Sequence, residues 1–365
     1  MPPSRFLVLS LFLVAGPSAL AAQPAARPRP AQPAQPTARQ PAPAVPAPPT
    51  AQPPAGPPAP PSPPPSPAVA LPPATPTSLV DVQVLLDRAS YSPGVIDGRG
   101  GSNTRKAVEA FQAAHDLPVT GKVDAATWQN LTAASGLQPL ALYTVLPADV
   151  AGPFVEIPRR IEDQAELPAL GYTSPLELLG EKFHCAPELL QALNPGVDFS
   201  VAGQAIKVPN VPPFVPWTKD QPLPERAGLA GVRVIVSKSR STLTVENGDD
   251  VIFFAPVTAG SEHDPLPLGE WKVRGVSRAP VFHFNPKLFW DAKPTDTKAT
   301  VPAGPNNPVG AVWIDLSKDH YGIHGTPEPQ LIGKTLSHGC VRLTNWDAQA
   351  VAALVKPGTP VLFEP

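Results

Sequence analysis

The sequence predicts a multidomain chain: an all-α unit of three helices, then a small α+β module, then a β-rich domain with mixed sheets and one main helix. Three observations predict this. A long Pro/Ala-rich stretch ends near Thr77, where residues able to build a core begin. Apolar residues then recur at helical spacing through 78–135. From residue 230 onward they alternate instead, in short runs broken by turn signals.

The N-terminus reads as a leader, residues 1–22. Arg5 supplies the positive end, and residues 6–15 form an apolar run of signal-peptide length that is short for a bilayer span. Gly16 and Pro17 break the run, and Ala19-Leu20-Ala21 fits small-x-small cleavage, with Ala22 as the alternative end. The chain has 56 prolines, nearly half of them before Thr77, and residues 23–77 hold almost no large apolar side chains. Such a segment cannot bury a core and reads as a tether, with a reach on the order of 150 Å if fully extended. The formal net charge of −2 offers no basic field for nucleic acid and no polybasic membrane patch.

In 78–135, Val80, Val82, Leu85, Leu86 and Ala89 mark a first helix, followed by a turn-rich loop with Asp97-Gly98. Ser102 is a candidate N-cap for a second helix bearing Ala107, Val108 and Phe111. Asp124 caps a third with Thr127, Trp128 and Leu131. The run from "YSPGVIDGRGG" through "AVEAFQ" to "LPVTGKVDAATW" resembles the three-helix peptidoglycan-binding domain of cell-wall enzymes.

In 140–216, Leu176, Leu178, Leu179 and Phe183 suit one helix and residues 187–193 a second, closed by Asn194-Pro195-Gly196. A short strand ends the run "AGQAIKVPN". These pieces resemble a LysM module, a two-helix, two-strand glycan binder, without its opening strand and Gly-Asp-Thr turn. Glycan binding and a purely structural spacer both remain open for this unit.

The last unit, 230–365, has strand-like runs at 232–236, 243–245, 251–257, 269–273 and 361–363, a hairpin turn at Asn247-Gly248, and one helix from about Trp346 to Val355. Within it His324 follows a strand-like run, and Ser337-His338-Gly339-Cys340 comes after a loop rich in Pro and Gly. A thiol near pKa 8.5 supplies little thiolate at neutral pH, and an imidazole folded back beside it can take the proton. Gly339 removes side-chain bulk next to the sulfur and lets backbone N–H groups face a developing oxyanion. Two rival readings exist. The even cysteine count allows a Cys185–Cys340 disulfide. His324, His338 and Cys340 could hold zinc, though the paired Cys-x-x-Cys spacing is absent.

The domain resembles the L,D-transpeptidase catalytic domain, with its His, spacer, and Ser/Thr-His-Gly-Cys. "PLPLGEWKV" at 265–273, "VPAGPNNPVG" at 301–310 and "CVRLTNWDA" after the cysteine extend the likeness in order. The resemblance implies Cys340 as nucleophile and His324 as base, with the Gly325 carbonyl orienting the imidazole. It implies an oxyanion hole from the amides of Gly339, Cys340 and His338. Ser337 and Arg342 become contacts of the site or the substrate, Arg342 either for a substrate carboxylate or in a structural ion pair. It implies acyl transfer on peptidoglycan tetrapeptide stems, without metal or organic cofactor and open to acylation by carbapenems, in a protein exported to the periplasm and associated with the wall. The acceptor could be a stem amine, giving a 3→3 cross-link, another amine, or water, which would make the chain an L,D-carboxypeptidase or amidase-type hydrolase. A non-catalytic wall-binding scaffold is the reading from another class.

Overall fold

The computed structural model describes Pro76 and residues 78–136, 138–224 and 229–365. The leader and nearly all of the tether lie outside the described residues. No helix among the described residues is long and apolar enough to cross a membrane.

The first unit is three helices: α1 (Leu79–Arg88), α2 (Ser102–Ala114) and α3 (Ala125–Ser135). Ser78 and Asp81 form a reciprocal capping box at the start of α1, and the Asp124 side chain accepts from the Thr127 amide at the start of α3. The expected N-cap Ser102 is instead the first helical residue; Gly101 precedes α2 with no side-chain cap. Two buried glutamines hold the loops. Gln83 accepts from the amides of Asp97 and Gly98, and Gln112 accepts from those of Thr120 and Gly121. Each thus satisfies backbone donors that the turns leave free. Leu85, Leu86, Phe111, Trp128 and Leu131 form the core.

The second unit pairs β1 (Leu140–Thr144) antiparallel with β2 (Ala205–Pro209). Between them come α4 (Ile161–Gln164), α5 (Pro175–Lys182) and α6 (Pro187–Leu193). Ser174 caps α5, and Pro at the first position of α5 and of α6 sets the helical φ without losing a needed donor. Leu179, Phe183, Cys185, Leu190 and Ile206 pack beneath. The unit has an opening strand, β1, contrary to the expectation from its sequence, since its partner β2 lies more than sixty residues further on.

The third unit is built on β3 (Val232–Ser237), β4 (Thr242–Asn247), β5 (Asp250–Pro256), β6 (Thr258–Ala259), β7 (Gly269–Arg278), β8 (Phe282–Phe284), β9 (Ala299–Val301), β10 (Val312–Leu316), β11 (Gly322–His324), β12 (Val341–Arg342), α7 (Asn345–Leu354) and β13 (Pro360–Glu364). Nine strands form one mixed sheet in the order β5-β4-β3-β13-β7-β10-β11-β12-β6. Its two edge strands, β5 and β6, are separated in the chain only by Val257, so the sheet must curl until its ends nearly meet. Helix α7 packs on the concave core with Val234, Leu243, Ile314, Ile323 and Val341. Strands β8 and β9 make a separate two-stranded flap.

The first unit seals the free edge of β5. Ser92 N–H donates to the Phe254 carbonyl (2.8 Å), and Phe254 N–H donates to the Ser90 carbonyl (2.9 Å). The same loop touches the second unit, where the Ile96 amide meets the His184 carbonyl at 2.9 Å.

Candidate active site

His324 ends β11 and Cys340 immediately precedes β12, which runs parallel to β11 with Ile323 opposite Val341 and His324 opposite Arg342. Side chains alternate along a strand. Ile323 and Val341 face the core, so His324 and Arg342 share the other face, and Cys340, two residues before Arg342, shares it too. A long loop closes the parallel pair, and this brings together residues sixteen apart in sequence. Trp313 lies opposite His324 on β10, and the two rings stack at 5.3 Å.

The imidazole is buried, and its Nδ1 lies 2.7 Å from the Gly325 carbonyl. A carbonyl can only accept, so the proton sits on Nδ1 and Nε2 keeps a lone pair. Burial first, then the Arg342 guanidinium, pushes His324 down to about 3, while the Gly325 contact pulls the other way. The ring is therefore neutral at neutral pH. Cys340 is half-buried, with its thiol 3.7 Å from the His320 carbonyl. Burial pushes the thiol above its usual range, the Gly322 amide and Arg342 counter this, and Asp264 adds to the rise. At rest the pair is thus neutral thiol and neutral imidazole, and proton transfer must accompany attack.

Gly339 has φ +92°, and a Cβ there would lie 2.6 Å from the Tyr321 ring. Among the described residues no hydrogen bond uses the backbone amides of His338, Gly339 or Cys340 as donors. Ser337 is buried: its hydroxyl donates to the Cys340 carbonyl and accepts from the Gly260 amide, both at 2.6 Å. It fixes the backbone that carries the sulfur. The side chain of His338 turns to the flap, with Nε2 2.9 Å from Asp291 Oδ1 and its ring against Phe289 at 5.1 Å. Arg342 makes no ion pair within 4.0 Å among the described residues, and its buried Nε has no hydrogen-bond partner. Both cysteines are free, and Cys185 sits in the core of the second unit, its thiol pushed up to about 12 by burial. No group of three or more His, Cys, Asp or Glu among the described residues is placed to hold a metal ion.

Residues 231–362 match the family model "L,D-transpeptidase catalytic domain", and 76–131 match "Putative peptidoglycan binding domain". A relative in Bacillus licheniformis, described as "Putative L,D-transpeptidase YkuD", is 30% identical over 194 residues, 52% of this chain and 93% of the relative. The Bacillus subtilis protein of the same description is 33% identical over 174 residues, 47% of this chain and 82% of the relative. The chain belongs to the L,D-transpeptidase family. A solved structure of an L,D-transpeptidase from Mycobacterium smegmatis is also similar, at 20% identity, TM-score 0.31, 37% of this chain and 59% of that one.

This L,D-transpeptidase-family enzyme thus carries its peptidoglycan-binding domain ahead of a β-rich catalytic domain, and neither model covers the second unit. Three residues of the site were missed in the sequence: Trp313, Tyr321 and Asn345. Trp313 was detectable in principle, since Val312-Trp-Ile-Asp-Leu316 alternates as a strand should. Asn345 directly follows the Thr344 cap of α7 and lies wholly buried against Gly325, where a Cβ would approach its Oδ1 to 2.0 Å.

Proposed function

We propose that this enzyme is exported and cross-links peptidoglycan by acyl transfer through Cys340. The observation that carries the reading is the contact of His324 Nδ1 with the Gly325 carbonyl at 2.7 Å. The Nδ1–H is committed to the Gly325 carbonyl, so Nε2 is a free base on the same sheet face as the thiol.

In the reaction the Cys340 thiol gives its proton to His324 Nε2 as sulfur attacks the carbonyl at the L-centre of diaminopimelate in a tetrapeptide stem. The amides of Gly339 and Cys340, with that of His338, donate to the oxygen that gains charge. The C–N bond to D-alanine breaks, the imidazolium returns the proton to the departing amine, and a thioester remains. An amine of a second stem then attacks it, His324 takes that proton, and the thiol is restored with a 3→3 cross-link formed. Arg342, whose buried Nε has no hydrogen-bond partner among the described residues, lies on the same face and suits a carboxylate of the stem. Export rests on the N-terminal leader, and retention at the wall on the peptidoglycan-binding domain.

Incubation of the full chain with purified muropeptides, followed by mass analysis, tests this. Dimers with loss of D-alanine support the reading. Loss of D-alanine with water uptake alone makes the enzyme a carboxypeptidase, and no change, identical to Cys340→Ala, removes the catalytic reading.

A further inference from the structure

We infer that Glu181, on helix α5 of the second unit, is a positioning residue for the candidate base His324, acting through Asn345. This rests on the reading of His324 above, but Glu181 lies outside both matched family models.

The chain of contacts is short. Asn345 Nδ2 donates to Glu181 Oε1 at 2.7 Å and to the Pro305 carbonyl at 3.0 Å. Its Oδ1 accepts from the Ala311 amide at 2.9 Å, so acceptors on one side and a donor on the other fix which way the amide points. That Oδ1 is wedged between two glycines, since a Cβ at Gly310 would come to 2.1 Å and one at Gly325 to 2.0 Å of it. Gly325 is the residue whose carbonyl holds the imidazole proton. A rotation of the Asn345 amide therefore displaces the carbonyl that sets both the tautomer and the direction of Nε2.

Glu181 is not an isolated neighbour. Glu177, one helical turn earlier on the same face of α5, accepts from Asn306 Nδ2 at 2.7 Å. The Leu170 amide meets the Ala303 carbonyl, and the Asn306 amide meets the Leu170 carbonyl, each at 3.0 Å. The second unit thus grips the segment from Ala303 to Gly310 that underlies Gly325, and Glu181 is the contact nearest the base. The carboxyl is enclosed. Burial drives its pKa up to about 7, and Tyr172 and Asn345 pull it back. Protonated or not, it keeps an oxygen that can accept from Asn345.

The test uses the full chain as wild type, Glu181→Ala, Glu181→Gln, Asn345→Asp and the Glu181→Gln/Asn345→Asp double variant. Three quantities are read: kcat and KM for D-alanine release from a tetrapeptide muropeptide, the rate of Cys340 alkylation by iodoacetamide, and the melting temperature. Glu181→Ala should lose roughly tenfold in kcat with KM nearly unchanged, because a small misplacement of the base acts on the chemical step. Glu181→Gln keeps an acceptor oxygen and should stay within about twofold of wild type. Asn345→Asp sets oxygen against oxygen and should reproduce the defect. The double variant restores a donor–acceptor pair between positions 181 and 345 but leaves the Pro305 carbonyl without its donor, so it should regain part of the rate lost in Asn345→Asp, which keeps the test decisive if Glu181→Ala folds poorly. Wild-type kcat in Glu181→Ala overturns the inference, as does an equal loss in Glu181→Ala and Glu181→Gln, or no recovery in the double variant. If wild type releases no D-alanine, the substrate reading fails on its own, and the same order among the alkylation rates decides the role of Glu181.

Discussion

Replacing Ser337 by alanine should loosen the backbone that carries the sulfur. The Ser337 hydroxyl bridges the Gly260 amide and the Cys340 carbonyl at 2.6 Å each, inside the protein. Removing it leaves one donor and one acceptor stranded, at about 1–3 kcal/mol apiece. The backbone bond from Ser337 N–H to the Gly260 carbonyl, 3.1 Å, survives and limits the damage. A loss of about 2–4 kcal/mol follows, which lowers the melting temperature by roughly 5–12 °C if the third unit unfolds as a domain of its size usually does. Because Cys340 carries the freed carbonyl, alkylation by iodoacetamide and muropeptide turnover should fall together, by about tenfold or more. Thr335→Ala is the control, as its hydroxyl makes a single exposed contact to the Leu331 carbonyl, and it should change stability by less than about 0.5 kcal/mol. Calorimetry on the two variants, with alkylation measured well below each transition, separates stability from reactivity. A melting point within about 2 °C of wild type, together with unchanged alkylation, would refute the bridging role.

Gly339→Ala should cost about 2–4 kcal/mol, from its φ of +92° and a Cβ only 2.6 Å from the Tyr321 ring. A cycle with Tyr321→Ala should recover only the steric share, and strict additivity by denaturant unfolding would contradict the clash. The iodoacetamide rate of Cys340 should climb with pH into the range above an ordinary thiol, since burial raises that group. It should show no step near 6.5, because His324, held at about 3, is already neutral there; a clear step would sink the neutral-pair resting state. Arg342→Gln removes the charge that favours thiolate and disfavours imidazolium, so alkylation at fixed pH should slow. The KM for a stem ending in a carboxylate should rise by about 10–100-fold if the guanidinium binds it. Asp347 is driven to about 7, by burial and then by Asp87, against an ordinary 3.8. Its folded pKa exceeds the unfolded one, so its stabilising contribution holds below about pH 4 and fades as pH rises to about 7. Against Asp347→Asn, wild-type stability should decline by on the order of 4 kcal/mol across that window in parallel melts.

Most of the sheet and the two residues at the centre of the candidate site are legible in the sequence, because alternation, turn residues and a short ordered motif are local signals. The flap was invisible for the opposite reason. Phe282–Phe284 and Ala299–Val301 are three residues each, too short for alternation to register. Strands β6 and β12 have two residues and exist only through their neighbours. Ser337 could be named but not explained, since its partner Gly260 lies 77 positions away. The contact of Glu181 with Asn345 spans 164 positions, and no pattern in either segment points to the other. Helix α2 begins at Ser102, one residue earlier than a Ser102 cap implies, because Gly101, with extended backbone, takes the capping position without a side chain.

The edge of β5 bears on how the catalytic domain can be prepared. Its outward amide and carbonyl at Phe254 are occupied by Ser90 and Ser92 of the first unit, and Phe254 itself is buried among the residues of that unit. A fragment trimmed to the catalytic domain for expression would uncover both the unpaired strand and the aromatic ring. Bare strands of this kind recruit one another across molecules. Within the full chain, the solubility of the catalytic domain is therefore borrowed from the helical module that covers this edge.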